Sequence, residues 1–122
     1  MSKRREQLKR LKEVSALAFN AELAHLAVIK REEEPFRARV HEIDQARHDR
    51  ATALAAAEEF DMSSLMGMDR VWDTWAKHEK RKAMMALAKL AARRETQLER
   101  TRRAFGKKDA LDRLAARDDL KR

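Results

Sequence analysis

"EEFDMSSLMGMDRVW", residues 58–72, is the one stretch where turn-forming residues gather in an otherwise charged, alanine-rich chain of 122 residues. Asp61, Ser63, Ser64 and Gly67 cluster there between two long segments of helical periodicity. Asp69 can offer a side-chain oxygen to the free N–H groups of a first helical turn, so a new helix is expected to begin on it. The chain then divides into a helix over 3–59, a turn over 60–68 and a helix over 69–120. Helices of roughly 50 residues are about 75 Å long at 1.5 Å per residue. Joined by a short turn, they are expected to lie side by side and antiparallel. The fold class predicted is all-α, a single coiled-coil hairpin of two long helices.

Composition points the same way. Charged residues make up 41%, aromatic residues 5%, and there are one Pro and two Gly. Turn formers and strand formers are too scarce for a β-rich globule, while Ala, Leu, Glu, Lys, Arg and Gln lose little on becoming helical. Such a chain buries a narrow seam rather than a compact core. Without cysteine it has no disulfide, thiolate metal ligand or cysteine nucleophile.

On the first helix Leu26, Ile29, Phe36, Val40, Ile43, Leu54 and Ala57 follow a three-then-four step, with Glu33, Arg47 and Arg50 in its polar gaps. On the second, Trp72, Trp75, Leu87, Leu90, Leu98, Phe105, Leu111 and Leu114 follow a less regular one. Leu90, Arg94 and Leu98 give two steps of four, the mark of an insertion that locally unwinds a coiled coil. Pro35 removes a backbone hydrogen bond and crowds the preceding turn, so a kink near Arg31–Glu34 is expected in the first helix. The alternative is a true break there and three helices.

The first thirty residues have a basic head and then an apolar stretch from Val14 to Ile29. Asn20, Glu22 and His25 interrupt it and no small-residue cleavage site follows, so no export signal is expected. No segment is apolar enough over 18 residues to span a bilayer, and a cytoplasmic location is expected.

Charge is uneven. Residues 1–13 carry six Lys or Arg against two Glu, a balance of +4, and residues 95–108 carry five against two, a balance of +3. Residues 51–69 carry four acids and no basic residue. In a hairpin the two basic stretches would share the open end. A net charge of +8 brings nucleic acid into question. However, the basic residues are interleaved with 21 acidic ones and no aromatic stacking platform accompanies them. Catalysis has less support still. His41, Asp44 and His48 share a face, and Glu22 with His25 forms a single Glu-x-x-His pair where carboxylate-bundle iron sites need two. No nucleophile elbow or phosphate loop is present. The protein is expected to be no enzyme and to need no cofactor.

Trp72 and Trp75 stand three residues apart just after Met62, Met66 and Met68, too much apolar surface for the end of a narrow hairpin to bury easily. They are either a plug for the seam or an adaptable contact patch for a partner. Gly106, in "RTRRAFGKKDALDRL" (residues 100–114), is expected inside a continuing helix at a cost of about 1 kcal/mol relative to Ala. A helix C-cap is the alternative. In the helix it leaves room beside Phe105 for another backbone to approach.

A basic N-terminus, two long helices, an aromatic pair soon after the turn and the tail "RRAFGKKDALDRLAAR" (residues 102–117) together resemble the small coiled-coil proteins of type III export systems, the flagellar FliJ and injectisome YscO type. The most individual match is Ala104-Phe105-Gly106-Lys107 followed by Ala110 and Leu111, while Pro35 departs from the uninterrupted helix of such proteins. The resemblance implies a stalk that inserts the end carrying both termini into a hexameric export ATPase and also touches the export gate or substrate chaperones. Lys3, Arg4, Arg5, Lys9 and Arg10, with Arg102, Arg103, Lys107 and Lys108, would face the ring. Phe105 and Gly106 would lie beside them, and Trp72 and Trp75 would serve the other partners. The seam carries Arg47, Arg50 and Arg94, which makes a second copy or a partner helix a further candidate partner.

Overall fold

The computed structural model describes residues 2–56 and 62–121. The protein is all-α, a helical hairpin of two long helices, α1 over Lys3–Ala56 and α2 over Met62–Leu120. No strand occurs among the described residues. Contacts divide the chain into a terminal unit, residues 1–30 with 92–122, and a central unit, residues 31–91.

In the terminal unit the two helices run antiparallel, because partners advance along α1 as they retreat along α2. Arg5 reaches Asp119, Phe19 packs on Phe105, and Glu22 meets Gln97. The seam buries Leu8, Ser15, Leu26 and Ile29 from α1 and Gln97 and Thr101 from α2. It is partly polar, and the polar groups are satisfied. Ser15 donates to the Lys12 carbonyl at 2.9 Å, and Thr101 donates to the Gln97 carbonyl at 2.8 Å. Gln97 donates across the seam to Glu22. Unpaired, such groups would each cost about 1–3 kcal/mol.

The central unit is antiparallel by the same criterion: Arg39 reaches Glu79, Arg47 reaches Asp73 and Arg50 reaches Asp69. Ile43 from α1 and Ala76, Ala83 and Leu90 from α2 are buried, and so is Glu33, only 2% exposed. Glu33 accepts a hydrogen bond from Arg37 at 2.9 Å, so the buried carboxylate keeps a cation beside it.

α1 passes through Pro35 as one helix, and the three-helix alternative does not arise. Arg37 pairs with Glu33 and also reaches Glu34 at 3.8 Å. These side chains tie together the turn in which proline leaves the Arg31 carbonyl without its N–H donor.

Two expectations are corrected. α2 begins at Met62, seven residues before Asp69, so 62–68 are helical where a turn was expected. Met, Ser and Leu tolerate the helix, Gly67 costs it only about 1 kcal/mol, and its φ is not positive. Asp69 is therefore a mid-helix residue whose carboxylate accepts from Arg50 Nε at 3.3 Å rather than a cap. Ala57, Glu58, Glu59, Phe60 and Asp61, expected to finish the first helix and start an acidic turn, lie outside the described residues.

The second correction concerns the α2 seam. Ala76, Ala83, Leu90 and Gln97 are all buried and stand seven residues apart, so the repeat has no insertion at Arg94. The largest apolar side chains of α2 do not mark its seam. Trp75, Phe105 and Leu114 are 48%, 51% and 41% exposed, flanking a seam that continues through small and polar residues.

Candidate protein-binding surfaces

The first turns of α1 expose Lys3, Arg4, Arg5, Lys9 and Arg10, while Leu8, between Arg5 and Lys9, turns inward. Arg5 is the member that finds a partner on α2, Asp119 at 3.8 Å, and both side chains stay well exposed. Such a pair is screened by salt and contributes little to stability.

Arg102, Arg103 and Lys107 are exposed on α2, with Arg103 3.7 Å from Glu99. Lys108 differs: it is half-buried and held by Asp112 at 2.9 Å. The ring of Phe105 packs against Phe19 with centroids 5.6 Å apart at 55°. Phe19 was not among the expected site residues, although its four-residue step from Ser15 and three-residue step to Glu22 place it on the seam's edge. Gly106 lies in the helix with open space where a Cβ would stand. No neighbouring part of the chain requires glycine there.

Both basic stretches thus belong to the terminal unit, but they do not face each other. Arg5 lies opposite Asp119, whereas Phe105 lies opposite Phe19, fourteen residues further along α1 and about 21 Å at the helical rise. Division by unit sharpens the charge pattern. The terminal unit holds eighteen Lys and Arg against nine Asp and Glu, a balance of +9, and the central unit eleven against twelve, a balance of −1. The whole net positive charge is carried by the terminal unit.

Trp72 and Trp75 belong to the central unit. Their ring centroids are 6.4 Å apart at 47°, one half-buried and the other exposed. The Arg50 guanidinium lies 4.2 Å from the Trp72 ring centre, and that of Arg39 lies 5.8 Å from Trp75. Each indole face is therefore covered by a cation that also pairs with an acid across the seam, Asp69 or Glu79. Trp72 also lines an open cleft of about 640 Å³ with Arg47, Arg50 and Leu54. Met68 is exposed, and the side chains of Met62 and Met66 lie outside the described residues.

Next to this pair Asp73 accepts from Arg47 Nε at 2.9 Å and lies 3.3 Å from Lys77. Desolvation pushes its carboxyl upward. The hydrogen bonds from Arg47 and Lys77, with their charges, outweigh that and hold it below the ordinary value of 3.8.

What these surfaces can do is bind. The terminal unit offers dense exposed cations with one aromatic edge, and the central unit offers a cation-capped indole pair. Comparisons with family models, curated proteins and solved structures give no match to this chain.

Proposed function

We propose that the protein is a non-enzymatic stalk or coupling component of a type III protein export apparatus, whose basic terminal unit docks into a hexameric export ATPase. The observation that carries this reading is the segregation of charge: the unit formed by both chain ends holds a balance of +9 and the rest of the chain −1. A cationic helix pair is steered into a ring mouth lined by acids and held there without base-specific contacts.

The coupling on this reading is mechanical. Two long helices that fit imperfectly among the ATPase subunits bias the conformation of those they touch, and the chain itself makes and breaks no bond. Lys3, Arg4, Arg5, Lys9 and Arg10 with Arg102, Arg103 and Lys107 supply the cations, and the open space at Gly106 beside Phe105 lets a ring backbone come close. Trp72 and Trp75 serve an export-gate or chaperone contact. The work is done in the cytoplasm, where such ATPases act.

Co-sedimentation with a hexameric type III export ATPase tests the reading. The unaltered protein is expected in the pellet, and a variant carrying Arg4→Glu with Arg102→Glu is expected to remain in the supernatant. Failure of the unaltered protein to pellet overturns it.

A further inference from the structure

Besides its charged ends, the terminal unit carries a groove along one side of the helix pair. One cleft of about 290 Å³ is lined by His25, Val28 and Ile29 from α1 and Arg93, Thr96 and Arg100 from α2. A second, of about 250 Å³, is lined by Ser15, Ala18 and Glu22 against Arg100, Arg103 and Lys107. Arg100 borders both, so the two clefts adjoin along one side of the helix pair, here called the groove.

The two walls differ in chemistry. On α1, Ala18 and Val28 line the clefts, and Leu11, Val14 and Ala21 extend the same stripe beyond them, the five following steps of three, four, three and seven residues. All are exposed, Leu11 at 51%, Val14 at 62% and Val28 at 41%. This stripe is distinct from the buried one through Ser15, Leu26 and Ile29, so α1 is apolar on two faces and buries one. On α2, Arg93, Arg100, Arg103 and Lys107 follow steps of seven, three and four, a basic stripe of about 21 Å or four turns. Arg100 and Lys107 make no ion pair among the described residues. The one acid in the lining, Glu22, is occupied by Gln97.

We infer that this groove is a docking site for an acidic amphipathic α-helix of a partner protein. Such a helix completes a three-helix bundle. Its apolar stripe covers Leu11, Val14 and Val28, and carboxylates spaced three or four residues apart meet Arg100, Arg103 and Lys107. Charge complementarity fixes the partner's sign, and the four-turn basic wall fixes its length. The groove has no aromatic side chain for stacking bases, and a nucleic-acid backbone has nothing to place against Leu11 and Val14. The inference goes beyond the ring reading and does not depend on it.

The test uses the full chain and a fluorescent synthetic helix of about 18 residues, with Leu on one face and Glu on the flanking face. A peptide of the same composition in scrambled order is the control. The amphipathic peptide is expected to bind at least about tenfold more tightly than the scrambled one, a difference of 1.4 kcal/mol. Val14→Gln and, separately, Arg100→Glu with Arg103→Glu should each weaken binding about tenfold, while Lys3→Glu with Arg4→Glu leaves it within about twofold. A Lys-for-Glu version of the peptide should regain affinity for the Arg100→Glu, Arg103→Glu variant. Circular dichroism confirms that the variants remain helical. Equal binding of both peptides overturns the proposal, and so does indifference to both groove variants. It is likewise overturned if anionic phospholipid vesicles or a short DNA duplex, rather than the peptide, respond to Val14→Gln. A dimer of the protein alone that Val14→Gln dissociates would assign the groove to a second copy instead. Loss of ATPase docking by the Arg4→Glu, Arg102→Glu variant with peptide binding intact separates this inference from the ring reading.

Discussion

Gln97, buried on α2, donates its side-chain amide to the Glu22 backbone carbonyl at 3.1 Å and to the Glu22 carboxylate as well. It also lies 3.4 Å from Thr101 Oγ1. One polar side chain thereby fixes which residue of α1 lies opposite which residue of α2, at a level of the seam where a leucine would have been indifferent to sliding.

Gln97→Leu is therefore expected to cost about 1 kcal/mol, because the half-buried Glu22 loses the hydrogen bond that reaches it across the seam. Glu22→Leu combined with Gln97→Leu should recover most or all of that loss. Urea unfolding of both variants checks this. A double variant as weak as the single one would show that the pair contributes by packing alone.

Pro35 sits on an exposed face of a helix that continues through it. Pro35→Ala restores one backbone hydrogen bond without filling any core space, so stabilisation of up to about 3 kcal/mol is expected. Thermal melting should show a higher midpoint. An unchanged midpoint would mean that the Glu33–Arg37 pair already offsets the missing bond.

Asp73 has a carboxyl held below 3.8 in the folded protein by Arg47 and Lys77. A depressed carboxylate contributes stability above its unfolded value and loses it as pH falls through the folded one. Acid unfolding below pH 3.8 should accordingly be less steep in Asp73→Asn than in the unaltered chain, with little difference between their slopes near neutrality. Denaturant midpoints across that range give the comparison.

Gly106 separates folding from binding. Open space at its Cβ position and a helical backbone mean that Gly106→Ala should stabilise the isolated protein by about 1 kcal/mol. If a ring subunit packs against that site, the same change should weaken ATPase co-sedimentation. Stabilisation with undiminished binding would place the partner's backbone elsewhere.

The fold class was legible because helix formers dominate and Leu26, Ile29 and Ile43 hold a regular step; all three are buried. The seam of α2 was less so. Ala76, Ala83, Gln97 and Thr101 carry no apolar weight, and only their seven-residue spacing marks them, while Trp75 and Phe105 attract attention from the edge. Asp69 reads as a cap in isolation, since cap and mid-helix ion pair use the same carboxylate; Arg50, nineteen residues earlier, decides between them. The basic terminal stretches were legible by counting. Their offset along the helices was not, because it depends on which residues lie opposite Arg5 and Phe19. The groove escaped notice because its apolar wall is half alanine and its basic wall resembles any solvated helix face.

Segregated charge also sets how the molecule comes apart. Nine excess positive charges repel one another within the terminal unit, while the central unit, at −1, has almost no such strain. Repulsion of this kind reaches about 30 Å at 0.01 M salt and about 8 Å at physiological strength. In dilute buffer the terminal unit is therefore expected to lose its amide-exchange protection before the central unit, and added salt or a polyanion is expected to restore it.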